Sequence, residues 1–517
     1  MLEGGIMNEN SRMNNSIRNV SYGLIVTVLN TLVSFITRTA LVKILGTEIL
    51  GLNGLFTEII SMLSLAELGV GMAIIYSLYK PISNNDQKKI SQLMSLYRSA
   101  YNIIGFVTIV LGCLLMPYIH NIITEVDYPL SYIRIIFILF VIKTASTYFF
   151  SYKTSLLNAD QKQYIVSVIT AITKLVVTVF VVIGLIIFKN YILYLIILII
   201  QSLVTNIVLS KYVDEKYPFI DYRDKLSKEE KKEVFFNIKN IFIKRVSGVI
   251  TSSTDNILIS ILVSTIQVGF YSNYIMLFSL VRTLKQQFTN GIAASIGNLS
   301  VEAEAEHCIV VLKRLTYLYF LFAMTMSAGM MAVSKSFISI WLGTEYVMAD
   351  SIIYVAIFNL FLEICCDPLW QYLEVSGLFK QDKNIAILGS GVNLVVSIIL
   401  GMKIGIIGIF IGTVCTQLIQ LIMKTRLLFG NRFSRSPLSY YFLWIKMIIG
   451  YIIMTAILFF IINKMVFTNS FIEFGCKGII AVGVSWIITI ILFMKSDERC
   501  YSKQFIGDFC KKIIKHR

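Results

Sequence analysis

Apolar residues dominate this chain in runs of about 20 or more, the length an α-helix needs to cross the hydrocarbon core of a bilayer. Fourteen such runs are legible, at about 20–44, 52–78, 92–116, 130–152, 164–187, 191–211, 239–263, 268–294, 311–340, 351–374, 385–402, 406–429, 439–463 and 472–494. No stretch long enough for a separate aqueous domain is left between them. The pattern predicts an all-α polytopic membrane protein with about 14 transmembrane helices. Inside the runs, polar residues recur at spacings of three and four, which places them on one helix face. Thr27, Asn30, Ser34 and Arg38 do so in the first run, Lys143 and Thr147 in the fourth, and Thr170, Lys174 and Thr178 in the fifth. Later, Ser279, Arg282, Lys285, Gln286 and Asn290 mark the eighth run, and Asn359, Glu363, Asp367 and Gln371 the tenth. The last two runs carry little beyond Lys446, as expected of peripheral, lipid-facing helices.

The stretch from Ser247 to Tyr274 sets an acid, Asp255, in an otherwise apolar run. A carboxylate at membrane depth costs about 3 kcal/mol on insertion scales, so it tends to face a bundle interior or a wet cavity. Gly248, Ser252, Asn256 and Ser260 step by four beside it and predict a cavity-lining helix, with a polar patch gluing two helices as the alternative. Glu58 and Glu67 fall on opposite sides of the second run, and Glu67 leads into Gly69 and Gly71, which predict a loosened helix. Stripes on several helices predict one hydrated cleft between two bundles, because each buried charge needs water, a partner or substrate. Arg38, Lys143, Lys174, Arg282 and Lys285, with Asn30, would make that cleft an anion site; Arg grips phosphate with two hydrogen bonds and Lys acts as a point charge. The competing reading pairs each cation with Glu58, Glu67, Asp255, Glu363 or Asp367. The same five carboxylates are the candidates for ion coupling or gating.

Composition agrees with a membrane protein, with 56% hydrophobic residues, 15% charged and a mean hydropathy of +0.75. The net charge of +16 adds topology, since basic residues collect in cytoplasmic loops. With the N-terminus inside, the inner loops carry Lys80, Lys88, Lys89, Lys153, Lys162, the segment Lys211 to Lys232, Lys313, Arg314, Lys380, Lys383, Lys424 and Arg426. The expected location is a bacterial plasma membrane with both termini cytoplasmic. A nucleic-acid partner is excluded, because no basic patch interleaved with aromatics stands on a soluble domain. The eight cysteines match neither a zinc site nor a disulfide framework and read as small core residues. His120, His307 and His516 lack metal-ligand spacing, and no phosphate-binding Gly-rich loop precedes a Lys-Ser/Thr pair. Neither catalytic residues nor a cofactor is expected, and transport would draw on a Na⁺ or H⁺ gradient, the membrane potential or consumption of product.

A faint internal repeat divides the chain. Ser155-Leu-Leu-Asn-Ala-Asp-Gln-Lys162 returns as Ser376-Gly-Leu-Phe-Lys-Gln-Asp-Lys383, and Gly51 returns as Gly269, at offsets of about 221 and 218. The expected organisation is an N-terminal six-helix lobe over 1–213, a cytoplasmic linker over 214–238, a second six-helix lobe over 239–430, and two extra helices with a basic tail over 431–517. The linker reads equally as an amphipathic interfacial helix or a solvated connector.

Three segments carry a family likeness. Ser-Thr-Asp-Asn-Ile-Leu-Ile-Ser from Ser253 to Ser260, Val-Gly-Phe-Tyr-Ser-Asn-Tyr from Val268 to Tyr274 and Leu-Ser-Leu-Ala-Glu-Leu-Gly from Leu63 to Gly69 resemble the Wzx-type bacterial polysaccharide exporters. These belong to the multidrug/oligosaccharidyl-lipid/polysaccharide exporter superfamily. The resemblance implies a flippase that carries an undecaprenyl-diphosphate-linked oligosaccharide from the inner to the outer leaflet by alternating access, for a surface polysaccharide such as O-antigen or capsule. It also implies a polysaccharide polymerase and glycosyltransferases as neighbours in the pathway. A lipid II flippase and a cation-coupled multidrug exporter of the same superfamily are the rival expectations.

Overall fold

The computed structural model describes residues 9–67, 70–232, 234, 253–302, 304–465, 470–494 and 496–500. Among these residues there is no β-strand, and eleven helices are long and apolar enough to cross a membrane. The chain is an all-α, multi-pass membrane protein. Its contacts divide into two compact units, Met1–Gly269 and Phe270–Arg517.

In the first unit, α1 (Glu9–Leu63) spans the first apolar run and much of the second. The two remain separate rods, because Gly46 breaks the helix with φ 83° and ψ −173°, a conformation that a side chain would strain. The second run is shorter than its apolar length predicts. Ser64–Glu67 tightens into a 3₁₀ turn, and α2 (Val70–Ser83) begins anew beyond it. There follow α3 (Gln87–Leu115), α4 (Leu130–Ala159), α5 (Gln163–Phe188) and α6 (Tyr191–Lys216). Asp86 starts α3 by accepting the Lys89 amide at 2.9 Å, and Asn190 starts α6 by accepting those of Ile192 and Leu193. The seventh run enters the described residues at Ser253 as α7 (253–262).

Beyond α7 the chain turns into α8 (Thr265–Glu302), and the turn is locked onto the first unit. Ser260 donates to the Ile122 carbonyl at 2.6 Å, Thr124 donates to the Ser260 carbonyl at 2.7 Å, and the Thr265 hydroxyl accepts the Thr124 amide at 3.0 Å. The repeat-related glycines meet at this knot. A Cβ on Gly51 would stand 2.2 Å from the Thr265 carbonyl oxygen, and one on Gly269 would stand 2.8 Å from the Gly51 nitrogen. Backbone rests on backbone here, which only a residue without a side chain permits.

The segment after α6 is partly folded onto the first unit. Leu226 and Val234 are buried in a core shared with Ile90, Met94, Tyr97 and Tyr152. The Ser91 hydroxyl donates to the Asp221 carbonyl and accepts its amide, Ser95 donates to the Tyr222 carbonyl, and Arg98 lies 5.1 Å over the Tyr222 ring. Lys153 donates to Asp214 at 2.6 Å and to Ser210 at 2.6 Å, tying α4 to the end of α6. Residues 217–232 therefore form a strap docked on the first unit through these contacts, with many of its other side chains exposed. Glu230 closes the strap by accepting from Lys89 and from Ser227, and these bonds hold its carboxyl down from 4.5 to about 2. A carboxylate depressed by folding contributes stability above its ordinary pKa and loses it as pH falls through the depressed one. Protection factors of the amides across 217–232, taken relative to intrinsic exchange at each pH, are expected to be steady above about pH 4.5 and to fall between there and about pH 2, an acid response that Glu230→Gln should flatten.

The second unit continues with α9 (Ala305–Trp341), α10 (Asp350–Val375), α11 (Phe379–Ile404), α12 (Ile406–Leu428), α13 (Leu438–Lys464) and α14 (Ser470–Leu492). Its core is aromatic, with Phe361 on Tyr451 at 4.4 Å and Phe493 on Tyr317 at 4.7 Å. A buried ion pair, Lys424 to Asp382 at 3.0 Å, joins α12 to α11, with Lys424 also 4.9 Å over Trp370. Of the cysteines, Cys308, Cys365 and Cys366 are core residues as expected, whereas Cys113 and Cys500 are exposed. The expectation for the last two helices needs correction. α13 and α14 do expose Phe460, Ile479 and Trp486, but α14 turns two charges, Glu473 and Lys477, toward α9.

Candidate functional site

Each unit contains a polar cluster built from residues that the stripes single out. In the first unit, Lys174 on α5 reaches α1, where its ammonium donates to the Ser34 hydroxyl at 3.0 Å and approaches the Asn30 carbonyl at 3.5 Å. Lys143 on α4 lies within electrostatic range of Lys174. Among the described residues neither lysine makes an ion pair. Arg38, one turn beyond Ser34, sits against Tyr191 and Tyr194, whose rings stack at 5.4 Å. Tyr191 in turn donates to the Asn53 side chain at 2.9 Å. The first, fourth and fifth stripes thus meet at Lys143 and Lys174, while Arg38 faces the tyrosines of α6.

The hydroxyls of these stripes behave differently from the cations. Thr27 donates to the Gly23 carbonyl, Ser34 to that of Asn30, Thr147 to that of Thr144 and Thr178 to that of Lys174. Each satisfies itself on its own helix, so a line of Ser and Thr does not by itself require water.

The carboxylates of the first unit lie apart from the lysines. Glu67, the last residue of the 3₁₀ turn, lies within electrostatic range of Tyr101 and Tyr148. The two tyrosines belong to α3 and α4; the chain leaves α geometry over Ser64–Glu67, and Gly69, where loosening is expected, lies outside the described residues. Glu58 accepts from the buried Asn256 of α7 at 3.3 Å. Asp255, next to it, is half-buried, while Gly248 and Ser252 of the same predicted face lie outside the described residues.

In the second unit the cations meet acids. Arg282 on α8 donates through Nε to both oxygens of Glu363 on α10, at 2.9 and 3.2 Å. Lys285 lies 3.4 Å from Asp367 and 3.8 Å from Glu363. Thr289 donates to Asp367 at 2.9 Å and shares a hydrogen with Tyr319 at 2.7 Å, and Gln371 donates to Tyr319 at 3.1 Å. Two cations and two anions balance here, and Pro368 beside Asp367 removes the amide that would bond the Ile364 carbonyl. The Arg282 side chain keeps 44% of its surface exposed, against 10% for Lys285. Asn359 leaves the group and donates to the Phe410 carbonyl of α12 at 3.1 Å.

Residues 16–295, more than half of the chain, match the family model described as polysaccharide biosynthesis protein. The chain belongs to the polysaccharide biosynthesis protein family. No curated protein matches it. Among solved structures this polysaccharide biosynthesis protein resembles the lipid II flippase MurJ in its inward closed conformation, at 14% identity and TM-score 0.70, over 92% of this chain and 99% of that one. It also resembles an inward-facing multidrug resistance transporter of the MATE family and MOP superfamily, at 13% identity and TM-score 0.56, over 76% of this chain and 92% of that one. The Vibrio cholerae MATE transporter VcmN in the bent form is similar at 13% identity and TM-score 0.52, over 81% and 98%. At these identities the likeness is one of fold, and it gives this family member the MurJ and MATE architecture that its resemblance to the Wzx-type exporters implied.

Proposed function

We propose that this protein is a flippase for an undecaprenyl-diphosphate-linked oligosaccharide, moving the head group from the inner to the outer leaflet of a bacterial plasma membrane by alternating access. The observation that carries the reading is the placement of Lys143 and Lys174, two like charges near each other with no carboxylate paired to either among the described residues. Such a pair is costly in a membrane protein until an anion arrives. A diphosphate supplies about two negative charges and several acceptor oxygens, and Asn30 and Arg38 on α1 are the further candidate contacts on the same stripe. In the second unit, taken by itself, Arg282 and Lys285 are candidate anion contacts that would trade Glu363 and Asp367 for phosphate oxygens, with the more exposed Arg282 the readier of the two.

Glu67, with Glu58 and Asp255, is the group from which a coupling H⁺ or Na⁺ site or a gate would be drawn. A polysaccharide polymerase and glycosyltransferases would act on the same lipid-linked sugar after and before it. The direct test is transfer of a labelled undecaprenyl-diphosphate oligosaccharide across proteoliposomes with an imposed pH or Na⁺ gradient. Transfer that requires the protein is expected, and absence of transfer under every gradient would remove the assignment. A second reading, lipid II flipping, is favoured by the MurJ fold. Preference for a head group bearing a peptide over one bearing a repeat-unit oligosaccharide would select it. A cation-coupled multidrug exporter, the third reading, fits a site of lysines poorly because its cargo is itself cationic.

A further inference from the structure

A cavity of about 420 Å³ lies inside the second unit, apart from the cluster of Arg282, Lys285, Glu363 and Asp367, where α9 and α13 end and α10 and α14 begin. Four of its lining side chains are charged and form two ion pairs. Lys335 of α9 meets Asp350 of α10 at 2.8 Å, and Lys477 of α14 meets Glu473, one turn earlier, at 2.6 Å. Ser336 leans toward the same Glu473 oxygen at 3.5 Å. The rest of the wall mixes apolar side chains, among them Ile340 and Ile462, with the hydroxyls of Ser336, Ser339, Thr344 and Tyr354.

The charges define what could enter. A lone anion would gain from the two lysines and be repelled by the two carboxylates, and a lone cation would meet the reverse. A ligand carrying one of each sign can pair with all four groups and leave the cavity neutral. The carboxylates of Asp350 and Glu473 are acceptors only, so the ligand's positive end binds best when it still carries N–H donors. Depth supplies the rest. Lys335 lies six residues before the end of α9 and Lys477 seven residues after the start of α14, about 9–10 Å inside the helix ends. α13 ends at Lys464 and α14 starts at Ser470, so the cavity lies near one end of these membrane-length helices. Ile340 and Ile472 are exposed beside it, 39% and 55%, as surface for acyl chains.

We propose that this cavity holds the head group of a zwitterionic glycerophospholipid with a phosphate and a primary ammonium. The phosphate lies between Lys335 and Lys477, and the ammonium between Asp350 and Glu473. The lipid is a resident one, distinct from the transported cargo of the proposed function, and it fastens α14 to the α9–α10 pair at one membrane face.

The test is native mass spectrometry of the full-length protein released from nanodiscs containing phosphatidylethanolamine, phosphatidylglycerol and phosphatidylcholine of matched acyl chains. Phosphatidylethanolamine is expected to be retained about tenfold over either competitor, the size of one charge-assisted hydrogen-bond set. Glu473→Gln and Lys335→Gln should each erase the preference. Equal retention of the three lipids by the unmodified protein, or a preference for phosphatidylglycerol, overturns the proposal without any variant having to fold. So does a preference that survives both substitutions. If soluble phosphoethanolamine displaces the lipid at equal concentration, the acyl chains add nothing and the assignment to a lipid fails.

Discussion

Lys174→Gln is expected to slow head-group transfer in proteoliposomes by about ten- to a hundredfold while leaving the amount of folded, inserted protein unchanged. The size follows from the contact removed, since a hydrogen bond to a charged group is worth about 1.5–3 kcal/mol. The protein itself loses little, because Lys174 donates to Ser34 and pairs with no described acid, so its removal strands no carboxylate. Lys143→Gln should cost a similar amount, and the two together less than the product, since both would serve one diphosphate. Lys174→Arg keeps the charge and should retain most of the rate. Arg282→Gln is the informative contrast, because its charge is already matched by Glu363, and a loss of only a few-fold is expected. Wild-type transfer by both lysine variants would move the diphosphate site out of the first unit.

The second large effect concerns stability. Gly51→Ala should lower the unfolding free energy by about 3 kcal/mol or more, because its Cβ would overlap the Thr265 carbonyl at 2.2 Å and neither backbone can yield without opening the knot formed by Ile122, Thr124 and Ser260. Gly269→Ala presses on the other side of the same contact, at 2.8 Å from the Gly51 nitrogen. The double variant should be little worse than the worse single one, since the first substitution has already parted the helices. Thermal unfolding in detergent reads all three. Gly23→Ala is the control, with nothing within 4 Å of the added carbon, and should be neutral or slightly stabilising. Near-wild-type melting of Gly51→Ala would mean that this crossing is looser than its geometry.

The helices were legible because bilayer thickness dictates the length of an apolar run, whatever its neighbours. Local events inside a run were less so. The kink at Gly46 lies in the short gap between two runs, and the 3₁₀ turn at Ser64–Glu67 falls inside a run. The stripes located the cations correctly on their helices, but spacing alone could not say that Thr27, Ser34 and Thr178 would bond their own backbones, or that Arg282 and Lys285 would meet acids while Lys143 and Lys174 would not. The tyrosines near Glu67 carry no signal in the pattern, because Tyr is apolar over most of its body and counts toward a hydrophobic run. Glu473 and Lys477 were hidden for a related reason, as a pair four apart at the start of an apolar span that cancels in any sum of charge. The strap had a visible signal that its surroundings outweighed. Tyr217, Phe219, Ile220, Tyr222 and Leu226 alternate with the charges that made the segment read as a connector.

That strap bears on how the two halves of the gene could be separated. Dividing the chain at residue 213, where the last apolar run of the first half has ended, would strip Leu226 and Val234 from the half they shield, leaving Tyr152 and Ile90 bare to solvent and the orphaned fragment to drag an adhesive leader. A cut placed after Val234 would let the first half keep its own cover, so co-expressed pieces divided there are the ones suited to complementation.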